Sequence, residues 1–335
     1  MYNSIIVGTG YYVPENIVTN NDLSKMMDTS DEWIQERTGI RERRFATRGK
    51  DTTTSMGVRA AQMAMDKANI AKEDIDFLIF ATLSPDYYFP GCGVLAQKEL
   101  GLNTIGALDI RNQCSGFIYA LSVADQFIKT GMYKNILVIA SETQSPALDL
   151  TTRGRNMAVL FGDGAGAVVL SRCEQSNRGI LSSHLHSEGA YAEELAIITP
   201  GVGKKWITDL LKENDPEDTS YFPYMNGQFV FKNAVVRFSE VIMEGLKANH
   251  LTEEDIDLFI PHQANLRISQ FIQQKFKLSD ERIFNNIQKY GNTTAASIAI
   301  ALAEAVEQNR VKENDILILA AFGSGFTWGS VVIKW

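Results

Sequence analysis

Lys67-Ala68-Asn69-Ile70-Ala71-Lys72-Glu73-Asp74-Ile75-Asp76-Phe77-Leu78-Ile79-Phe80 returns later as Lys247-Ala248-Asn249-His250-Leu251-Thr252-Glu253-Glu254-Asp255-Ile256-Asp257-Leu258-Phe259-Ile260, with one residue inserted. Each copy reads as a helix end, a polar turn and a short apolar strand. The shared Glu-Asp-Ile-Asp starts at 73 and at 254, an offset of 254 − 73 = 181. A second unit repeats as well: Leu121 to Ala140 and Leu302 to Ala320 each run helix, turn, strand, and their strands begin 316 − 136 = 180 residues apart. Two matches at nearly one offset predict a duplicated α/β unit, with helices alternating with buried strands. The halves are expected at 1–173 and 174–335.

The duplication also locates chemistry. Asp109-Ile110-Arg111-Asn112-Gln113-Cys114-Ser115-Gly116-Phe117 follows an apolar strand-like run and leads into apolar positions 117, 118, 121, 124, 127 and 128, the spacing of one helical face. Cys114 is therefore expected where a strand hands over to a helix N-terminus. Unpaired N–H groups and the helix dipole there favour a thiolate. At the same offset, the place of Cys114 falls close to Asn292, in Tyr290-Gly291-Asn292-Thr293-Thr294-Ala295-Ala296-Ser297, which also opens a helix. His262 ends the strand of the second half that matches Phe77 to Phe80. Ligands of open α/β sheets gather at strand C-termini and helix N-termini. A pseudo-twofold would bring Cys114, His262 and Asn292 towards one centre.

Composition narrows the class. The 335 residues are 45% hydrophobic and 21% charged, an ordinary globular balance with room for two halves around a sizeable core. Met1-Tyr2-Asn3-Ser4-Ile5-Ile6-Val7-Gly8 puts no basic segment ahead of an apolar one, and no apolar run reaches ~18 residues, so neither a secretory leader nor a membrane span is expected. Three scattered cysteines (92, 114, 173) form neither a disulfide framework nor a Cys-x-x-Cys motif, which fits a reducing cytoplasm. A net charge of −8 argues against nucleic acid as a partner. His184-Leu185-His186 reads as part of a structural strand, and no metal site is expected.

Several local signals remain. Ile5-Ile6-Val7-Gly8-Thr9-Gly10 imitates a dinucleotide fingerprint, but Val13 stands where a third glycine belongs and Pro14 interrupts the helix. Thr29-Ser30-Asp31-Glu32 reads as a capping box opening a helix that carries Trp33 and Arg37 on one face. With Arg41, Arg43 and Arg44 close behind, that face would suit an aromatic ring attached to phosphates. Gly162-Asp163-Gly164-Ala165-Gly166-Ala167 lacks a P-loop lysine and reads as a structural turn. Small residues in Phe322-Gly323-Ser324-Gly325-Phe326-Thr327-Trp328-Gly329 would let backbone N–H groups approach a ligand. Residues 199–228 read as an inserted loop.

Together, Asp28-Thr29-Ser30-Asp31-Glu32-Trp33-Ile34, Arg37-Thr38-Gly39-Ile40, Cys114-Ser115-Gly116-Phe117, Phe161-Gly162-Asp163-Gly164-Ala165-Gly166-Ala167, His262-Gln263-Ala264-Asn265-Leu266-Arg267-Ile268, Gly291-Asn292-Thr293 and Gly325-Phe326-Thr327-Trp328-Gly329 resemble the beta-ketoacyl-ACP synthase III family. The resemblance covers essentially the whole chain, in order. It implies a thiolase-like α/β fold, in which two duplicated βαβαβ-type halves pack as an α-β-α-β-α sandwich. It also implies a condensing acyltransferase that initiates fatty-acid synthesis. Cys114 is then the nucleophile, with His262 and Asn292 completing a triad and the N–H groups of Cys114 and Ser324 forming an oxyanion hole. Ser324 stands where the family more often has glycine.

The resemblance further places coenzyme A on Trp33, Arg37, Phe231 and Asn265, with either Arg153 or Arg155 as diphosphate ligand, and Gln228 where the family commonly has asparagine. Phe89 matches a residue that crosses a homodimer to line the partner's acyl pocket. Arg267 and Lys275, on the helix after His262 whose Ile268, Phe271, Ile272 and Phe276 are expected to face the core, are the candidate docking residues for acyl carrier protein, joined by Lys232 beside Phe231. The substrates implied are an acyl-CoA and malonyl-ACP, with no cofactor bound permanently. Acetyl-CoA is the first choice of donor. Arg111-Asn112-Gln113, in place of small residues, keeps a medium-chain, branched or aromatic acyl group open, as in related enzymes of secondary metabolism. A Cys-His acyl hydrolase is the rival from another class of chemistry.

Overall fold

In the computed structural model, which describes residues 2–175, 177–201, 203, 208 and 218–335, both copies of the repeated phrase end in a buried strand. One sheet holds β1 (Asn3–Tyr12), β2 (Phe77–Ala81), β3 (Gly106–Ile110), β4 (Asn135–Glu142) and β5 (Gly164–Cys173), in the spatial order β1-β5-β4-β2-β3. The other holds β6 (Gly179–Ser187), β7 (Leu258–Pro261), β8 (Ile316–Gly323) and β9 (Thr327–Lys334), in the order β7-β8-β9-β6. From β2 to β4, β5 and β1 the pairings run parallel, antiparallel, antiparallel, and from β7 to β8, β9 and β6 they do the same. The repeat in sequence is thus a repeat in topology. β3 pairs in parallel with β2 at the edge of the first sheet, and its place in the second is marked by the isolated bridge Phe259–Ile283.

The helices are α1 (Asp31–Thr38), α2 (Thr53–Ala68), α3 (Cys92–Leu100), α4 (Gly116–Lys129), α5 (Gly227–Ala248), α6 (Leu266–Lys275) and α7 (Ala296–Glu307). Ten consecutive residues of α7, Ala296 to Ala305, are buried, as expected of a helix apolar all round. It lies with α4 between the two sheets: Leu121, Ile298 and Ile300 share one core with Ile136 and Val168 of the first sheet and Leu317 and Val331 of the second. The fully buried Leu121 makes Leu121→Ala a loss of about 2–5 kcal/mol. Helices α2 and α3 cover the outer face of the first sheet, and α5 and α6 that of the second. The layering is α-β-α-β-α, the thiolase-like arrangement.

Two local readings change. The N-cap of α1 is Ser30, whose hydroxyl accepts from the Trp33 N–H at 3.1 Å, rather than Thr29. The glycines of the false fingerprint serve packing: a Cβ on Gly8 or Gly10 would come within 2.1 and 2.2 Å of α2 carbonyl oxygens. Of the inserted loop, residues 202, 204–207 and 209–217, which include most of its charged run, lie outside the described residues. Its two flanks are tied together by antiparallel pairing of Leu195–Ala196 with Tyr224–Met225.

Candidate active site

After β3, Arg111 and Asn112 lead into a turn of 3-10 helix at Gln113–Ser115, and α4 begins at Gly116. Cys114 therefore sits at the strand-to-helix handover. Gln113 just before it is held at φ 43°, a left-handed conformation that costs a non-glycine residue energy. Opposite, β8 passes so close that a Cβ on Gly323 would come within 2.5 Å of Cys114 Cβ and 2.9 Å of Sγ. That approach sets the backbone of β8 against the sulfur, and the Ser324 and Cys114 N–H groups act on the thiol to lower its pKa.

His262 follows β7, its N–H donating to the Ala320 carbonyl at 2.8 Å. Its Nδ1 lies 2.7 Å from Ser297 Oγ, and its buried Nε2 has no protein partner. Asn292 is fixed through its backbone: its N–H donates to Leu160 O at 2.8 Å and its carbonyl accepts from the Gly162 N–H at 3.1 Å. Its Oδ1 accepts from the Thr294 N–H at 2.8 Å, which leaves the amide N–H groups for the cavity. Cys114, His262 and Asn292 line one cavity of about 100 Å³, with Phe231, Asn265 and Phe322 among its apolar and polar walls. A second space of about 80 Å³ also touches Cys114, between Leu83, Gln144, Phe161, Ile197, Pro223 and Thr294. A larger groove of about 760 Å³, lined by Arg41, Lys289 and Arg310, contains none of the three.

Electrostatics differ from the sequence expectation. Burial pushes the Cys114 thiol up to about 12, the nearby Glu142 carboxyl acts in the same direction, and the Ser324 and Cys114 N–H groups oppose it without winning. Desolvation outweighs the helix N-terminus. Burial also pushes His262 down to about 3, so its imidazole is neutral at working pH. Glu142, fully buried at the end of β4, was not singled out from sequence. It accepts from Ser84 Oγ (2.6 Å), Thr82 Oγ1 (3.1 Å), the Leu83 N–H (3.2 Å) and Gln144 Nε2 (3.3 Å). Burial raises its carboxyl to about 7. It anchors Leu83 and Gln144, two walls of the smaller space.

Outside the cavity's lining, the Trp33 ring meets two guanidiniums, Arg37 Cζ at 4.5 Å and Arg155 Cζ at 4.7 Å from its centroid. Arg153 instead pairs with Asp149 at 2.7 Å and lies over the Phe222 ring. Asn265 lines the cavity and donates to the Arg37 carbonyl at 3.0 Å, joining α6 to α1. Gln228 is exposed at the start of α5. Arg43 is not on this face: it is fully buried, donating to Val18 O, Asn20 Oδ1 and Val159 O. Arg44 pairs with Glu42 at 2.8 Å, and Arg41 lines the separate groove.

Lys232, Arg267 and Lys275 are exposed on α5 and α6. Ile268, Ile272 and Phe276 are buried as expected, but Phe271 is 43% exposed beside the basic residues rather than in the core. Phe89 is 81% exposed, next to Tyr87 and Tyr88, and does not line the cavities at its own chain's Cys114. His184 and His186 lie on β6 and share Glu244, and among the described residues no cluster suited to a metal ion occurs.

Comparison with known proteins identifies the family and the fold. Residues 108–189 match the family model for 3-oxoacyl-[acyl-carrier-protein] synthase III, and residues 246–335 match its C-terminal model. The chain is 46% identical over 330 residues to the beta-ketoacyl-[acyl-carrier-protein] synthase III of Caldanaerobacter subterraneus, covering 98% of this chain and 97% of that protein. The solved synthase III of Aquifex aeolicus superposes with a TM-score of 0.90 at 43% identity, covering 99% of this chain and 100% of that one. That of Thermus thermophilus gives 0.90 at 38% identity, covering 99% of each. With its duplicated thiolase-like fold and Cys114, His262 and Asn292 in one cavity, the chain belongs to the beta-ketoacyl-acyl-carrier-protein synthase III family of condensing acyltransferases.

Proposed function

We propose that this chain initiates fatty-acid synthesis by moving an acyl group from acyl-CoA to Cys114 and condensing it with malonyl-ACP. The observation that carries the reading is the single cavity that joins the Cys114 sulfur with the free polar edges of His262 and Asn292, with the backbone of Gly323 packed against that sulfur.

In the first half-reaction the Cys114 sulfur attacks the thioester carbonyl, and its proton leaves with the coenzyme A thiolate as the free thiol. The tetrahedral oxyanion is held by the Cys114 and Ser324 N–H groups, each such donor worth ~2.7–4 kcal/mol. In the second, malonyl-ACP loses carbon dioxide, and the electron pair moves into an enolate at its thioester oxygen. His262 Nε2–H and the Asn292 amide N–H donate to that oxygen. The enolate carbon attacks the acyl-cysteine carbonyl, and the same oxyanion hole serves again. Collapse expels the Cys114 thiolate, which takes up one proton, and 3-oxoacyl-ACP is released. A neutral imidazole suits this work, because it donates a hydrogen bond without needing to be charged.

Coenzyme A would enter as a substrate along Phe231 and Asn265, its adenine meeting Trp33 and its phosphates Arg37 and Arg155; the Asp149 pair leaves Arg153 the weaker candidate. The space of about 80 Å³ at Cys114 supports a short acyl donor, acetyl-CoA first. The exposed edge strand β3 and the outward Tyr87, Tyr88 and Phe89 support a homodimer in which Phe89 closes the partner's acyl space. We place the two halves at 1–173 and 174–335 and the enzyme in the cytoplasm. Among the described residues no helix is long and apolar enough to cross a membrane. Intact-mass measurement after a panel of acyl-CoAs, then after malonyl-ACP, tests the reading. A single acyl adduct that disappears as 3-oxoacyl-ACP forms supports it; release of free acid without malonyl-ACP would overturn it.

A further inference from the structure

His262 Nδ1 lies 2.7 Å from Ser297 Oγ, in the first turn of α7, and both residues are 2% exposed. The same Oγ already accepts a proton from the backbone N–H of Gln263, at 3.3 Å. That backbone is rigidly held: the Gln263 side chain donates to Pro261 O at 2.7 Å and accepts from the N–H groups of Asn286 and Ile287 at 3.0 and 3.2 Å. A hydroxyl has one proton to give, and among the described residues the only acceptor for it at Ser297 is Nδ1. If Nδ1 instead carried the ring proton and donated to Oγ, the serine O–H would be buried with nowhere to go. The opposite ring nitrogen, Nε2, has no protein partner in the cavity that holds Cys114.

We infer that Ser297 is a positioning residue for the condensation: its hydroxyl donates to His262 Nδ1 and thereby keeps the ring proton on Nε2, where it meets the enolate oxygen. This rests on the proposed function for its role in turnover, though the tautomer itself does not. Without the serine, the ring is free to place its proton on Nδ1. It then offers Nε2 as a lone pair, which repels an enolate and suits a base for the thiol instead. Ser297 thus decides whether His262 is a donor or a base. The N-terminus of α7 adds to the effect by disfavouring a charged imidazolium.

The test is nitrogen NMR on protein labelled with ¹⁵N-histidine, the His262 signals being assigned by their loss in His262→Gln. The wild type is expected to show a pyrrole-type Nε2 and a pyridine-type Nδ1, and Ser297→Ala a mixture of tautomers. Malonyl-ACP decarboxylation by Ser297→Ala should fall about 10²-fold in kcat with KM little changed, and Ser297→Thr, which keeps a hydroxyl, should recover most of it. A wild-type proton on Nδ1 would overturn the assignment, whatever the variants do. So would a Ser297→Ala protein with an unchanged tautomer and an unchanged decarboxylation rate. If the Nε2–H tautomer is found but malonyl-ACP is never decarboxylated, the assignment stands and the proposed function falls.

Discussion

The backbone N–H of Thr294 donates to the side-chain oxygen of Asn292 at 2.8 Å, and Thr294 takes φ 46° to do so. This fixes which end of the amide faces the cavity. Asn292→Asp keeps the acceptor for Thr294 but puts a second oxygen where the enolate needs a donor. We expect decarboxylation of malonyl-ACP to fall about 10²–10³-fold, with acyl transfer to Cys114 much less affected. Rates of carbon dioxide release and of adduct formation, measured separately, check the split. Equal loss in both half-reactions would contradict it.

The three cysteines should behave differently. Cys114→Ala is expected to lose the acyl adduct, while Cys92→Ser and Cys173→Ser keep it, as read by peptide mass. Cys92 is fully buried and pushed up to about 11, mainly by desolvation, so it is a poor nucleophile. An adduct on Cys92 or Cys173 would refute the assignment of the nucleophile.

The thiol of Cys114 is held up to about 12, so its thiolate fraction grows with pH throughout the neutral range. Iodoacetamide labelling of Cys114 should rise by about tenfold per pH unit between roughly 7 and 10. Glu142→Gln removes a charge that raises this thiol, so labelling should accelerate. Because Glu142 itself titrates near 7, the gain belongs above that pH, where the carboxylate is charged, and should vanish below it. The variant also leaves the Thr82, Ser84 and Leu83 donors facing an amide, a destabilisation of about 1–3 kcal/mol visible by thermal melting. A flat difference across pH would rule out the electrostatic link.

Arg155 and Arg153 separate by their partners. Arg155→Ala removes a guanidinium held against the Trp33 ring and a candidate hydrogen-bond donor to phosphate, and should raise KM for acyl-CoA about tenfold or more. Arg153→Ala breaks the pair with Asp149 and should leave that KM within about twofold, since its guanidinium is engaged elsewhere. The reverse order would make Arg153 the diphosphate ligand.

What sequence could and could not convey follows from the range of each signal. The duplication was legible because helix, turn and strand recur at one offset, and that offset alone drew Cys114, His262 and Asn292 together. Arg43 was misread because a run of basic residues carries no direction. In the strand Glu42–Arg44 alternation turns the middle side chain inward, onto Val18, Asn20 and Val159. Phe271 was placed in the core by its apolar character, yet the buried stripe of α6 and its end runs 268, 272, 276, and residue 271 falls at its edge. Glu142 stayed invisible because most of its donors come from residues 82–84, some sixty positions away in the chain. Ser297 did leave a trace, a lone hydroxyl beside residue 296 in an otherwise alanine- and isoleucine-rich helix. The thiol expectation failed because a helix start can be read locally, whereas burial depends on both sheets.

Carrier docking supplies the last prediction. The chain carries −8 overall, so an acidic carrier protein must be drawn by a local patch rather than by net charge. Lys232, Arg267 and Lys275 are exposed on α5 and α6, and α6 is capped by Asn265, which lines the cavity with Cys114 and His262. Phe271, exposed on the same helix, offers an apolar contact within the basic surface, the usual composition of a docking face. Reversing charge at Lys232 and Lys275 together should lower kcat/KM for malonyl-ACP about tenfold at low salt. The deficit should shrink as ionic strength rises and screening shortens to about 8 Å near physiological salt. Self-acylation by acyl-CoA needs no carrier and should change little. Phe271→Ser should weaken malonyl-ACP use at every salt concentration, because an apolar contact is not screened. If the charge reversals slowed both half-reactions equally, these lysines would belong to the coenzyme A path; if neither changed, the carrier would dock on another face.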